Sequence, residues 1–235
     1  MIAHSDLRKR VLEANRAIVD AGLVTLTFGN ASAADRSAGV MAIKPSGVAY
    51  DELGPESMVV VDLGSGEVLD GAFRPSSDTP THLVLYRRFR AVGGVVHTHS
   101  PAATAWAQAG RELPCFGTTH ADHFHGSVPV TRDLTAEEIA ADYEARTGEV
   151  IAETIEGLRL RPLAMPGVLV RSHGPFTWGT DETDAVENAT ALEAVASIAL
   201  SSLTLAPELQ PITPDLLERH FSRKHGPDAY YGQPR

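Results

Sequence analysis

Apolar positions along this chain recur with two periods. Leu7, Val11, Ala14 and Ile18 lie three or four residues apart, the spacing of one helix face, with Ser5 or Asp6 as the cap and Gly22 as the stop. Residues 23–27 alternate as a short strand, and 28–32 read as a loop. Further strands are predicted at 40–43 and 58–63, the latter turning through Gly64-Ser65-Gly66 into Val68-Leu69. A helical pattern covers 79–90, with Pro80 in its first turn. The β-branched Val95 and Val96 lead an apolar strand into His97, and 101–109 is helical. Thr135-Ala136-Glu137-Glu138 has the form of a capping box opening one long helix to about Glu156. A strand through Val168-Leu169-Val170 ends in His173, and turn residues follow at once. Helices at 183–205 and 214–225, the last stopped by Gly226, complete the chain. Strands and helices mix without strict βαβ alternation. The predicted fold is therefore α/β, one domain over residues 1–235, with a mainly antiparallel central sheet flanked by helices.

Composition narrows the function. A hydrophobic fraction of 43% in 235 residues supports one sizeable core. A net charge of −10 argues against nucleic acid as a partner. The lone cysteine, Cys115, excludes an internal disulfide framework and suits a reducing compartment. The N-terminus lacks the apolar core of a signal peptide, and the alanine-rich stretch 189–206 is interrupted by Thr190, Glu193, Ser197 and Ser201. The expectation is a cytoplasmic protein that does not engage a membrane.

Candidate chemistry sits at strand ends. His97 and His99 are two apart in an extended segment, so their imidazoles share a face and can serve one metal ion. His173 is a third candidate. Asp78 precedes the Thr79-Pro80 helix start, either as its N-cap or as a carboxylate near the metal. Gly29-Asn30, Lys44-Pro45-Ser46-Gly47 and Ser76-Ser77 mix small residues with donors, as an anion pocket does. The stretch 117–126 carries three histidines and Asp122, which suggests an acid/base loop, a second metal site or a solvated loop. The basic, aromatic C-terminal segment reads as docked, not frayed.

Several of these segments together resemble the class II aldolase family, and within it the branch that epimerises a pentulose phosphate. Ile43-Lys44-Pro45-Ser46-Gly47-Val48, Val96-His97-Thr98-His99-Ser100 and Ser172-His173-Gly174-Pro175-Phe176 carry the family likeness. Pro75-Ser76-Ser77-Asp78-Thr79-Pro80-Thr81-His82, Thr119-His120-Ala121-Asp122 and Tyr230-Tyr231-Gly232-Gln233 point to the branch. The resemblance implies interconversion of L-ribulose 5-phosphate and D-xylulose 5-phosphate at C4 by retro-aldol chemistry, a step of L-arabinose catabolism. It implies Zn2+, or another divalent ion such as Mn2+ or Co2+, held by His97, His99 and His173, with Asp78 as a further ligand or close neighbour. It places Gly29, Asn30, Lys44, Ser46, Gly47, Ser76 and Ser77 around the substrate phosphate, and makes Asp122 and Tyr231 the acid/base pair. It brings those two, with Thr118 and Arg223, from a neighbouring subunit of a homotetramer. His123 and His125 depart from the pattern, standing where tyrosines are expected. The alternatives are a sister enzyme such as L-fuculose-phosphate aldolase, or a non-catalytic adducin-like relative, which would lack metal ligands.

Overall fold

The computed structural model describes residues 3–159 and 161–232. Met1, Ile2 and Gln233, the last residue of the terminal motif, lie outside the described residues. Strands β1 (Asn30–Asp35), β2 (Val40–Ile43), β3 (Val59–Asp62), β4 (Val68–Asp70), β5 (Gly94–His97), β6 (Gly167–Val170) and β7 (Gly174–Gly179) form one sheet in the order β4-β3-β2-β1-β5-β7-β6. Every neighbouring pair is antiparallel. The chain adds helices α1 (Ser5–Asp20), α2 (Thr79–Arg88), α3 (Pro101–Ala109), the single turn α4 (Thr118–Ala121), α5 (Ala136–Gly157), α6 (Glu182–Leu205) and α7 (Pro214–His225).

Period-two alternation sends the strand side chains to two cores. Ala31, Ala33, Val40, Ala42, Val60 and Val96 face the α1 stripe of Leu7, Val11, Leu12, Ala14 and Ile18. Met41, Ile43, Val59, Val61, Val95, Phe176 and Trp178 face Leu85, Tyr86 and Phe89 of α2 and Ile151 and Ile155 of α5. Burying each large aliphatic side chain of the α1 stripe contributes about 1.5–3 kcal/mol, so Val11→Asp, which would also bury an unpaired carboxylate, would weaken the docking of the helix. Helix α6 is long and apolar enough to cross a membrane by composition alone. It packs instead along β5 and β7 and against α1 and α3, burying Ala185, Ala189, Leu192, Val195, Ala196 and Ala199.

Four local expectations need correction. Residues 23–27 are not a strand: Leu23 is buried, but Leu26 turns out to solvent with φ 56°. The strand is Asn30–Asp35, whose alanines have low β propensity but let α1 lie close. Asn15 of α1 fixes its start, donating to the Ala31 carbonyl (3.0 Å) and accepting from the Ala31 amide (2.9 Å). Second, neither Ser5 nor Asp6 caps α1. The cap position is His4, which makes no side-chain cap bond. Third, His173 does not end a strand. It stands in the β6–β7 turn after Ser172 (φ 60°), and the expected turn residues Gly174-Pro175 open β7. Fourth, the long helix α5 breaks at Asp142 (φ −139°, ψ 76°). Beyond the break, Gly148 lies so close to α2 that an added Cβ would sit 2.7 Å from Val84 Cβ, and the Thr81 hydroxyl donates to the Glu144 carbonyl at 2.6 Å.

Candidate active site

Antiparallel pairing brings the chemistry to one end of the sheet. Asn30 opens β1 opposite His97, which closes β5, and Phe176 of β7 lies on the other side of His97. Lys44 leaves β2 at the same end. The Lys44–Gly47 loop is then tied to the 75–78 segment. Ser76 N donates to Lys44 O (3.0 Å), Ser46 N donates to Arg74 O (3.0 Å), and Pro45 bridges Pro75. The result is a cleft of about 390 Å³, a size suited to a small polar metabolite. Gly29, Asn30, Lys44, Ser46, Gly47, Ser76, Ser77, Asp78, His97, His99 and His173 all line it.

The three histidines converge. Their ring centroids lie 4.7–5.1 Å apart, and one ligand nitrogen from each falls within 4.8 Å of the others. His97 Nε2 and His99 Nε2 are 3.1 Å apart, close to the ~3.3 Å expected for two nitrogens on one tetrahedral zinc. The His97 ring is stacked on Phe176 at 4.1 Å, and its Nδ1 donates to the Pro175 carbonyl at 2.9 Å. That bond leaves the Nε2 lone pair pointing at the trio's centre, the usual arrangement behind a ligating imidazole. Burial, and then the His97 imidazole, push His173 down to about 4, so the ring is neutral near pH 7 and free to ligate. Burial and His97 lower His99 as well. The donor set therefore fits a divalent ion, and among the described residues it is the one such grouping of three.

Asp78 stands beside the trio and not in it. It occupies the N-cap position of α2 but makes no side-chain cap bond. Its carboxylate accepts instead from Asn30 Nδ2 at 2.8 Å. Burial alone would raise its pKa, but His97, His82 and the Asn30 bond outweigh it and hold the carboxyl below its ordinary value.

Thr118, Asp122, Arg223 and Tyr231 are not in the cleft. They form a second cluster where α7 docks on α4. Asp122 accepts from Arg223 at 2.6 and 3.0 Å and from His220 at 3.1 Å, and His225 donates to its main-chain carbonyl at 2.9 Å. Burial raises the Asp122 pKa, but Arg223 and His220 more than offset it, so the group is ionised well below neutrality. Arg223 and Lys224 each lie 4.8 Å from the Tyr231 ring, which is 57% exposed. Among the described residues, the neighbouring histidines join no grouping of three that could hold a metal. His120 donates to Gly126 O (2.8 Å), and His125 pairs with Glu218 (3.0 Å).

Residues 9–200 match the family described as Class II Aldolase and Adducin N-terminal domain. The chain belongs to the class II aldolase family. Its fold is that of solved members. An L-fuculose 1-phosphate aldolase superposes with TM-score 0.79 at 24% identity, over 94% of this chain and 97% of that one. L-fuculose 1-phosphate aldolase from Glaciozyma antarctica gives 0.77 at 18% identity, over 97% and 87%. L-fuculose-1-phosphate aldolase from Thermus thermophilus gives 0.67 at 24%, over 86% and 97%.

The cleft also has lining residues that pattern reading missed: Thr27, Phe28, Tyr143 and Glu144. Tyr143 Oη lies 3.4 Å from His173 Nδ1. No glycine or proline marks the α5 break that carries Tyr143 and Glu144 to the cleft. His220 and His225 were also missed as partners of Asp122, although the C-terminal segment's docking was expected.

Proposed function

We propose that this class II aldolase, one domain over residues 1–235, interconverts L-ribulose 5-phosphate and D-xylulose 5-phosphate. The observation that carries the reading is the meeting, in one cleft, of a metal-fitting His trio with three loops of small residues around Lys44. C4 is not adjacent to the C2 carbonyl, so simple enolisation cannot invert it. Cutting the C3–C4 bond gives an enediolate and glycolaldehyde phosphate. Turning the aldehyde before the bond reforms inverts C4.

A divalent ion held by His97, His99 and His173, Zn2+ foremost, supplies Lewis-acid stabilisation of the negative charge that this cut develops. Asp78, fixed by Asn30, adds a carboxylate at the edge of that site. Gly29, Asn30, Lys44, Ser46, Gly47, Ser76 and Ser77 hold the phosphate, so the two-carbon fragment stays bound between cut and rejoining. Asp122, kept ionised by Arg223 and His220, takes the C4 hydroxyl proton on one face. Tyr231, set by Arg223 and Lys224, serves the opposite face. This pair lies outside its own chain's cleft, which supports the reading that it serves the cleft of a neighbouring subunit, with Thr118 and Arg223 beside it, in a homotetramer.

The likeness to L-fuculose 1-phosphate aldolases favours one second reading, cleavage with release. Against it, Asp78, the carboxylate beside the His trio, is already committed to Asn30, so the cleft offers no free carboxylate there to act as base within one chain. Metal-loaded protein is incubated with L-ribulose 5-phosphate, and D-xylulose 5-phosphate and free glycolaldehyde phosphate are both assayed. The epimerase reading expects pentulose phosphate with little free aldehyde. Aldehyde as the main product defeats it.

A further inference from the structure

Tyr50 opens a short turn after the Lys44–Gly47 loop, and it does not line the cleft. Its phenol nevertheless touches both sides of it. Tyr50 Oη lies 2.9 Å from the Gly29 carbonyl and 3.0 Å from the Phe28 carbonyl, so its one proton is shared by the loop that precedes β1. The Lys44 ammonium sits 4.7 Å from the centroid of the same ring. Two further contacts of that ammonium are carbonyls of its own loop, Val48 O at 2.9 Å and Pro45 O at 3.3 Å, which leaves one N–H for an anion. Burial pushes the Tyr50 phenol above its ordinary range, which keeps it a donor. The ring also packs between the two small cores under α1, so its own position is fixed.

We infer that Tyr50 is a positioning residue for phosphate recognition, clamping the Gly29 loop and the Lys44 side chain in register. The inference rests on the phosphate-binding reading of the cleft. Without the phenol proton, the Gly29 loop loses its tether to the Lys44 side. The loop cannot simply settle deeper, since an added Cβ on Gly29 (φ +81°) would already lie 2.8 Å from the His97 carbonyl. Its metal-facing side is thus packed directly on β5, whereas its phosphate-facing side depends on Tyr50. Phe28 of the same loop lies against His99, 6.0 Å between ring centroids, so a loss at Tyr50 falls mainly on the anion and only secondarily on the His trio.

The test uses the metal-loaded full chain and inorganic phosphate as probe, followed by calorimetry, with L-ribulose 5-phosphate kinetics alongside. Tyr50→Phe keeps the ring and its packing and removes only the hydroxyl. It should weaken phosphate binding roughly three- to ten-fold. KM should rise by a similar factor, with much smaller changes in kcat and in metal affinity. Tyr50→Leu, which also removes the ring from Lys44, should weaken phosphate further. Phosphate binding by Tyr50→Phe equal to wild type overturns this inference alone. Parallel losses of metal affinity and kcat make Tyr50 merely structural and also overturn it. If the wild type binds no phosphate in competition with substrate, the phosphate reading of the cleft fails, and this inference with it.

Discussion

The cleft and the Asp122 cluster are built in opposite ways. The cleft rests on the ends of β1, β2 and β5, where His97 and Lys44 are 1% and 2% exposed and the backbone leaves little freedom. The Asp122 cluster rests on a single helical turn and the last helix, with Tyr231 out in solvent. One region holds unspent ligand groups: three imidazole nitrogens face one another, and the Asn30 Oδ1 is buried with no partner among the described residues. The other has its charged groups satisfied within the chain, yet presents an aromatic hydroxyl outward. Sheet ends can fix a metal geometry, whereas helix ends are well placed to project groups across an interface.

The sharpest way to break this division is at the metal. His97→Asn removes one imidazole of the trio and the bond to Pro175 O, and activity should fall to the background of metal-free protein. Metal content by elemental analysis should drop in parallel, while circular dichroism stays native. Full metal occupancy in that variant would remove His97 from the site. Next comes Asp122→Asn, which should keep stoichiometric metal and lose about 10²–10⁴-fold in turnover. Loss of metal there would merge the two regions into one. A smaller effect is expected at Tyr143, whose hydroxyl backs His173. Tyr143→Phe should weaken metal affinity by up to about ten-fold, measured by competition with a chelating dye.

The cleft was legible because its residues follow rules of spacing. His97 and His99 at i and i+2 share a face wherever that segment is extended, and Lys44 follows an unmistakable apolar strand. What the pattern hid was decided by tertiary contacts. Leu23–Thr27 has strand-like residues, but helix α1 requires small ones beneath it, and Asn30–Asp35 supplies them. The break at Asp142 precedes a segment docked closely on α2 at Gly148 and Thr81, a tertiary contact that local propensity does not register. Asp78 looks like a helix cap, yet its carboxylate is drawn to Asn30, a residue far away in sequence. His220 and His225 meet Asp122 only because α7 folds back on α4.

A further effect concerns pH. Burial pushes His82 down to about 3 and His120 down to about 4. Unfolded histidine titrates near ~6.5, so the unfolded chain binds more protons between these values. Stability of metal-free protein should be complete above about pH 6.5 and fall as pH drops toward about 4, by on the order of 2 kcal/mol per buried imidazole at pH 5. Urea titrations at pH 7 and pH 5 measure this. His120→Gln should show a shallower fall, and an equal fall in both proteins would assign the effect elsewhere.

Subunit mixing tests the division between the two regions most directly. A His97→Asn chain keeps its Asp122 cluster, and an Asp122→Asn chain keeps its metal cleft. Each alone should be nearly inactive. Unfolded together and reassembled at equal ratio, they pair an intact cleft with an intact Asp122 cluster at roughly a quarter of interfaces. Activity should rise from near zero toward about that fraction of wild type. A mixture that stays inactive after proven subunit exchange would contradict the account, because every catalytic group would then come from one chain.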